Sequence, residues 1–114
     1  MVDEKRMREL LDAEDRDTQS LIASLSSSIE DLAAAREGDN SDDEHDPEGS
    51  TLAFERSQSE TLLRESRQRL TEIAAALERL DEGTFGLCVV CGEPIPEVRL
   101  EARPYAATCV ACAS

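Results

Sequence analysis

Cys88-Val-Val-Cys91, followed after seventeen residues by Cys109-Val-Ala-Cys112, holds all four cysteines of this 114-residue chain. Two Cys-x-x-Cys hooks at this spacing have the ligand pattern of a tetrahedral Zn(II) site. The two-residue gap lets both sulfurs of one hook reach a common ion. Gly92 can supply a positive φ directly after the first hook, and residues 92–108 are long enough to turn back. One structural zinc ion on Cys88, Cys91, Cys109 and Cys112 is therefore the expected cofactor.

Other uses of four cysteines fit less well. Disulfides need an oxidising compartment, whereas Met1-Val2-Asp3-Glu4-Lys5 shows no apolar export segment. A thioredoxin-like redox pair belongs at a strand-to-helix turn of a βαβ unit, a pattern absent around residues 80–114. A catalytic zinc keeps an open coordination position, and four thiolates would close the shell. The protein is expected to be no enzyme, with no catalytic residues.

Composition sets outer limits. With 3% aromatic residues and no Trp there is little to fill a thick core. Twelve Lys and Arg against twenty-six Asp and Glu leave a net charge of −14, which repels nucleic-acid backbones and anionic membranes. No apolar run reaches the roughly 18 residues of a membrane span. The expectation is a cytoplasmic protein with no direct DNA or RNA readout and no membrane partner.

The segment before the hooks reads as two helices. Residues 4–36 contain no Pro or Gly, and Leu11, Thr18, Leu25 and Leu32 recur every seven residues with Ile22 and Ile29 between them. Arg8, Asp15 and Thr18 thin this stripe in its first half, so the first turns are expected to fray or dock elsewhere. Gly38 supplies a stop. A second, more regular 4-3 series runs through Leu52, Arg56, Ser59, Leu63, Ser66, Leu70, Ile73, Leu77 and Leu80 to a stop at Gly83. Glu60 with Arg64 and Glu65 with Arg69 stand at the favourable i, i+4 spacing. Neither helix has a second apolar face, so the two are expected to pair antiparallel within one chain, as a monomer. The predicted class is mostly α, an antiparallel two-helix coiled-coil hairpin over residues 1–82 followed by a four-cysteine zinc finger over residues 83–114.

Between the helices, residues 37–48 carry seven acids and no Lys or Arg. On composition this is a solvated connector. Asp46-Pro47-Glu48 also has the order of a helix start, with Asp as N-cap and Pro at the first helical position. The only histidine, His45, sits among these acids and is not expected to bind metal. A helix of about thirty residues is roughly 45 Å long, which would carry this acidic loop, at about residues 37–50, to the end of the hairpin away from the cysteines.

Around the hooks, the candidates for a small core are Phe85, Leu87, Ile95, Val98, Leu100 and Tyr105. So few side chains cannot fold about thirty residues alone, and a structural zinc supplies the missing stabilisation, about 10–16 kcal/mol in finger peptides. Arg99 and Arg103 are outnumbered by Glu93, Glu97 and Glu101, so the lobe offers no basic stripe. The two arginines are expected to support the fold or a protein contact.

Phe85-Gly86-x-Cys88-x-x-Cys91-Gly92, then Arg99-Leu100-Glu101-Ala102-Arg103-Pro104, then Cys109-x-x-Cys112 resembles the DksA/TraR family of bacterial zinc-finger transcription regulators. The resemblance covers residues 85–112 closely, and the heptad hairpin is similar to the family's coiled coil. It implies a protein that binds RNA polymerase without touching DNA, inserting its coiled coil into the secondary channel so that acids at the tip act near the catalytic centre. The family tip has an Asp-x-x-Asp-x-Ala pattern next to Asp-Pro. Matching on Asp46-Pro47 puts Gly49 where the second acid stands and Thr51 where the Ala stands. Either Glu48 substitutes for that acid, or Asp43 with Asp46 forms the pair. Asp43, Asp46 and Glu48 are thus the polymerase-facing tip residues the resemblance implies. Longer members continue past the last cysteine into a helix, and neither its polymerase contacts nor any nucleotide alarmone site it helps build carries over to a sequence read to Ser114. The second functional reading is a zinc-stabilised adaptor whose acidic segment docks on a basic partner unrelated to transcription.

Overall fold

The computed structural model describes the backbone of residues 3–38 and 47–113 and the side chains of residues 3–34 and 51–113. Three helices follow in order: α1, Glu4–Gly38; α2, Pro47–Glu82; and α3, Glu97–Ala102. At the start of α1 the Arg6 N–H donates to Asp3 Oδ1 at 3.2 Å, the side-chain cap that an Asp before a helix provides. Helix α2 ends as the sequence requires: Gly83 has φ +80°, its N–H donates to Leu80 O, and the Thr84 N–H donates to Arg79 O at 2.9 Å. That pair of reversed bonds is a Schellman motif, which needs a left-handed residue at the position Gly83 fills. Among the described residues no helix is long and apolar enough to cross a membrane.

Contacts divide the chain into two compact units, one of residues 1–18 with 68–114, the other of residues 19–67. In the first, the beginning of α1 lies against the end of α2, as the 2.8 Å ion pair between Arg8 and Asp81 shows. Its core is shared by all three parts. Met7 and Leu11 from α1, Ile73, Ala76 and Leu80 from α2, and Cys88, Ile95, Leu100 and Ala106 from beyond Gly83 are all buried in one cluster. Phe85 and Tyr105 pack against it, half-buried. Leu87 and Val98, expected in this core, are instead 44% and 80% exposed. Of the two outcomes expected for the first turns of α1, fraying or docking elsewhere, the second holds: Met7 and Leu11, at i, i+4 spacing, are buried in a cluster that extends beyond the helix pair to Cys88, Ile95 and Leu100.

In the second unit, Ser28, Asp31 and Leu32 of α1 share a shallow groove with Glu55, Gln58 and Ser59 of α2, the same antiparallel sense. Seam residues Ile22, Leu25, Ile29, Leu32, Leu52 and Leu63 are half-buried rather than buried, because a lone pair of helices covers its seam from one side only. Glu60 bonds Arg56 at 3.1 Å, while Arg64 donates to Thr61 Oγ1 at 3.2 Å, so the i, i+4 charge pattern resolves one step earlier than the sequence suggests. Exposed pairs of this kind contribute at most about 1 kcal/mol.

Candidate metal centre and the surface around it

The first hook is a tight turn inside a two-rung hairpin. Cys88 N–H donates to Glu93 O at 2.8 Å and Ile95 N–H to Gly86 O at 2.7 Å, with Leu87 and Pro94 forming an antiparallel bridge. Both ends of this turn use positive φ, +90° at Gly86 and +78° at Gly92, which is the conformation a side chain would oppose. Gly92 N–H closes the loop onto Cys88 O at 2.9 Å. The second hook is a single turn in which the N–H groups of Cys112 and Ala113 both donate to Cys109 O. The hooks are joined by Val89 N–H to Ala107 O at 2.9 Å.

Two arginines fix the approach to the second hook. Arg99 Nε donates to Thr108 O at 2.9 Å, one residue before Cys109, and Arg79 Nη2 reaches Ala106 O at 3.5 Å. Partial burial holds the Arg79 guanidinium below its ordinary pKa. Arg69 lies over the Tyr105 ring at 5.5 Å. Arg99 thus supports the fold, as its setting in the sequence suggested. Arg79 was not singled out there, and its place in the last turn of α2 gave only a helix-capping signal.

This scaffold brings the four sulfurs of Cys88, Cys91, Cys109 and Cys112 within 4.8 Å of one another. The Cys91 and Cys109 sulfurs are 3.7 Å apart, close to the roughly 3.8 Å edge of a tetrahedron with Zn–S bonds of about 2.3 Å. The sulfurs thus already stand near the spacing that such an ion requires. The protonation pattern points the same way. Backbone N–H groups of Cys91 and Cys109 hold Cys88 down to about 6. Cys112 is pushed up to about 12 because its thiol proton is shared with the sulfurs of Cys109, Cys88 and Cys91. The Glu93 N–H favours the Cys91 thiolate, but Cys88, burial and Cys109 outweigh it and raise Cys91. A divalent cation removes this conflict by allowing every sulfur to be a thiolate. Four sulfurs complete a closed tetrahedral shell, so the residues fit one structural zinc ion, which would tie the two hooks together.

Of the tip residues the sequence suggested, Asp43 and Asp46 lie outside the described residues, and the Glu48 side chain does as well. Only the backbone of Glu48, in the first turn of α2, is placed.

Residues 83–114 match the model of the prokaryotic DksA/TraR C4-type zinc finger. The chain is also similar to the transcription factor DksA2 of Pseudomonas aeruginosa, with a TM-score of 0.75 at 29% identity over 95% of this chain and 78% of that one. Residues 83–114 are thus a zinc finger of the DksA/TraR C4 type. Among curated relatives, it is 32% identical over 100 residues to general stress protein 16O of Bacillus subtilis, covering 88% of this chain and 55% of that protein. It is 48% identical over 46 residues to the RNA polymerase-binding transcription factor DksA of Haemophilus influenzae, covering 40% of this chain and 32% of that protein. The chain therefore spans about half or less of the length of these curated relatives.

Proposed function

We propose that this protein is a transcription regulator that binds RNA polymerase through its secondary channel and presents acidic residues of the α1–α2 connection near the catalytic centre. The observation that carries this reading is the DksA/TraR finger over residues 83–114 in a chain that also has two long helices and is similar over 95% of its length to DksA2. The name of the Haemophilus relative, an RNA polymerase-binding factor, supports the same partner. Net charge argues in the same direction. A chain at −14 with seven acids in residues 37–48 is repelled by DNA yet suited to a site lined by metal ions and basic groups.

In this reading the zinc-tied unit is the foot. The hairpin enters a passage too narrow for a globular domain, and Asp43, Asp46 and Glu48 act at its end. Those carboxylates act on the Mg(II) environment or on the mobile elements that close over substrate. The chemistry of transcription stays with the polymerase, and this protein is a binder, not an enzyme. The domain division that goes with it is a hairpin over residues 1–82 and a finger over residues 83–114, working as a monomer in the cytoplasm.

The test is binding of the zinc-loaded protein to purified core polymerase, with competition by an established secondary-channel binder. Saturable binding that the competitor abolishes is the expected result. Absence of binding at micromolar concentration, or binding indifferent to the competitor, overturns the proposal. Neutralising Asp43, Asp46 and Glu48 to Asn, Asn and Gln should then remove the effect on transcription while binding is retained.

A further inference from the structure

A second surface lies on the finger unit, and the polymerase reading does not use it. A cleft of about 770 Å³ opens where the start of α1 meets the first hook's hairpin. Its floor is apolar, formed by Phe85, Leu87, Pro94, Ile95 and Pro96, and Leu87 is 44% exposed within it. Its rim is acidic, with Glu4 on α1 and Glu97 at the start of α3, and no Lys or Arg lines it. Two other exposed carboxylates of this unit are matched. Arg6 lies 3.8 Å from Glu101, and Arg8 lies 2.8 Å from Asp81. Among the described residues Glu4 and Glu97 have no such ion pair.

The cleft is also preformed. Two of its floor residues are prolines with fixed φ and no N–H to satisfy. Its hairpin is held by the bonds Cys88 N–H to Glu93 O and Ile95 N–H to Gly86 O. Binding there would cost little ordering on this side, which is the property that lets an apolar cleft with few charged groups select a ligand. The flanking carboxylates decide which ligand. An anionic or purely apolar segment would leave Glu4 and Glu97 crowded against it, whereas Lys or Arg beside the inserted side chain would complement them.

We propose that this cleft docks an extended peptide segment of a partner protein, one that inserts an apolar side chain between Leu87 and Pro96 and places Lys or Arg against Glu4 and Glu97. The occupant differs in kind from whatever meets the acidic connection between the helices, because here an apolar anchor carries the contact and charge only selects it.

The experiment titrates the ¹⁵N-labelled, zinc-loaded full chain with a short synthetic peptide carrying a Leu-Phe pair flanked by lysines, and with the same peptide flanked by glutamates. Saturable shifts confined to the amides of Phe85, Gly86, Leu87 and Ile95, seen with the lysine peptide only, are the expected result. The double substitution Glu4→Lys and Glu97→Lys should weaken binding by at least about fivefold, the worth of two exposed ion pairs, with zinc content unchanged. Leu87→Ser should weaken it, and Val110→Ser, on the second hook and 68% exposed, should not. Equal shifts from the two peptides, shifts centred elsewhere, no shifts, or undiminished binding by the charge-reversed protein would each overturn the proposal.

Discussion

Leu11 lies in the third turn of α1, seventy-seven positions before Cys88 in the sequence, yet it is fully buried in the cluster that also holds Cys88, Ile95 and Leu100. Truncating it should therefore loosen the metal. A buried Leu→Ala substitution costs about 2–5 kcal/mol, because both the transfer energy and the unfilled cavity count. If folding of this unit and zinc binding are one linked event, a mid-range loss of about 3 kcal/mol weakens apparent zinc affinity about a hundredfold. The assay is competition against a chromogenic chelator, run beside thermal melts with and without zinc. Leu25→Ala is the control: Leu25 is a half-buried seam residue in the other contact unit, so its truncation should cost less and leave zinc affinity within experimental error of the parent. The reasoning is refuted if Leu11→Ala binds zinc as tightly as the parent, or if Leu25→Ala weakens zinc equally.

Further expectations follow from the same geometry. Gly83→Ala meets no atom within 4 Å, so its cost is that of φ +80° alone, about 1–2 kcal/mol, read as a lowered melting midpoint with no change in zinc stoichiometry. Zinc binding at pH 7 should release at least two protons, from Cys91 and Cys112, while Cys88 at about 6 is already largely ionised; calorimetry in buffers of different ionisation heat counts them. In the metal-free protein the lowered Cys88 contributes stability that is present above its ordinary 9.0 and lost as pH falls through about 6. The raised Cys112 has the opposite sign: its contribution is intact below 9.0 and lost as pH rises toward about 12. Metal-free stability should thus decline above about pH 9, and zinc should abolish that decline, which denaturant melts across the range would show.

The parts of the fold that were readable in the sequence are those set by local rules. The 4-3 series from Leu52 to Leu80 marked α2 because heptad spacing is written within the helix itself, and every member of that series is at least half-buried. Gly83 marked its end because the Schellman turn needs a left-handed residue at that one position. The hooks marked the metal centre because two-residue spacing and thiolate chemistry leave few other uses for four cysteines. What the sequence did not disclose depends on contacts between distant segments. The thin stripe around Met7 and Leu11 left fraying and docking elsewhere both open, and nothing in their spacing says that Leu100 shares their cluster. Ala76 and Ala106 are buried in the same cluster, which the type of so small a side chain does not flag. Val98 was expected inside on residue type alone, and it lies on the outward side of a six-residue helix whose only buried residue is Leu100. The carbonyl contacts of Arg79 and Arg99 were hidden for the same reason, since a side chain's long-range acceptor has no sequence signature.

The central claim, that the hairpin carries its acidic connection into the polymerase, is tested most directly by placing a photo-crosslinking amino acid at position 48, in the first turn of α2, and irradiating the complex with core polymerase. The account predicts crosslinks to polymerase segments that surround the catalytic centre, lost when a secondary-channel competitor is added. Crosslinks mapping to the outer surface of the polymerase, from a protein that still binds it, would contradict the account.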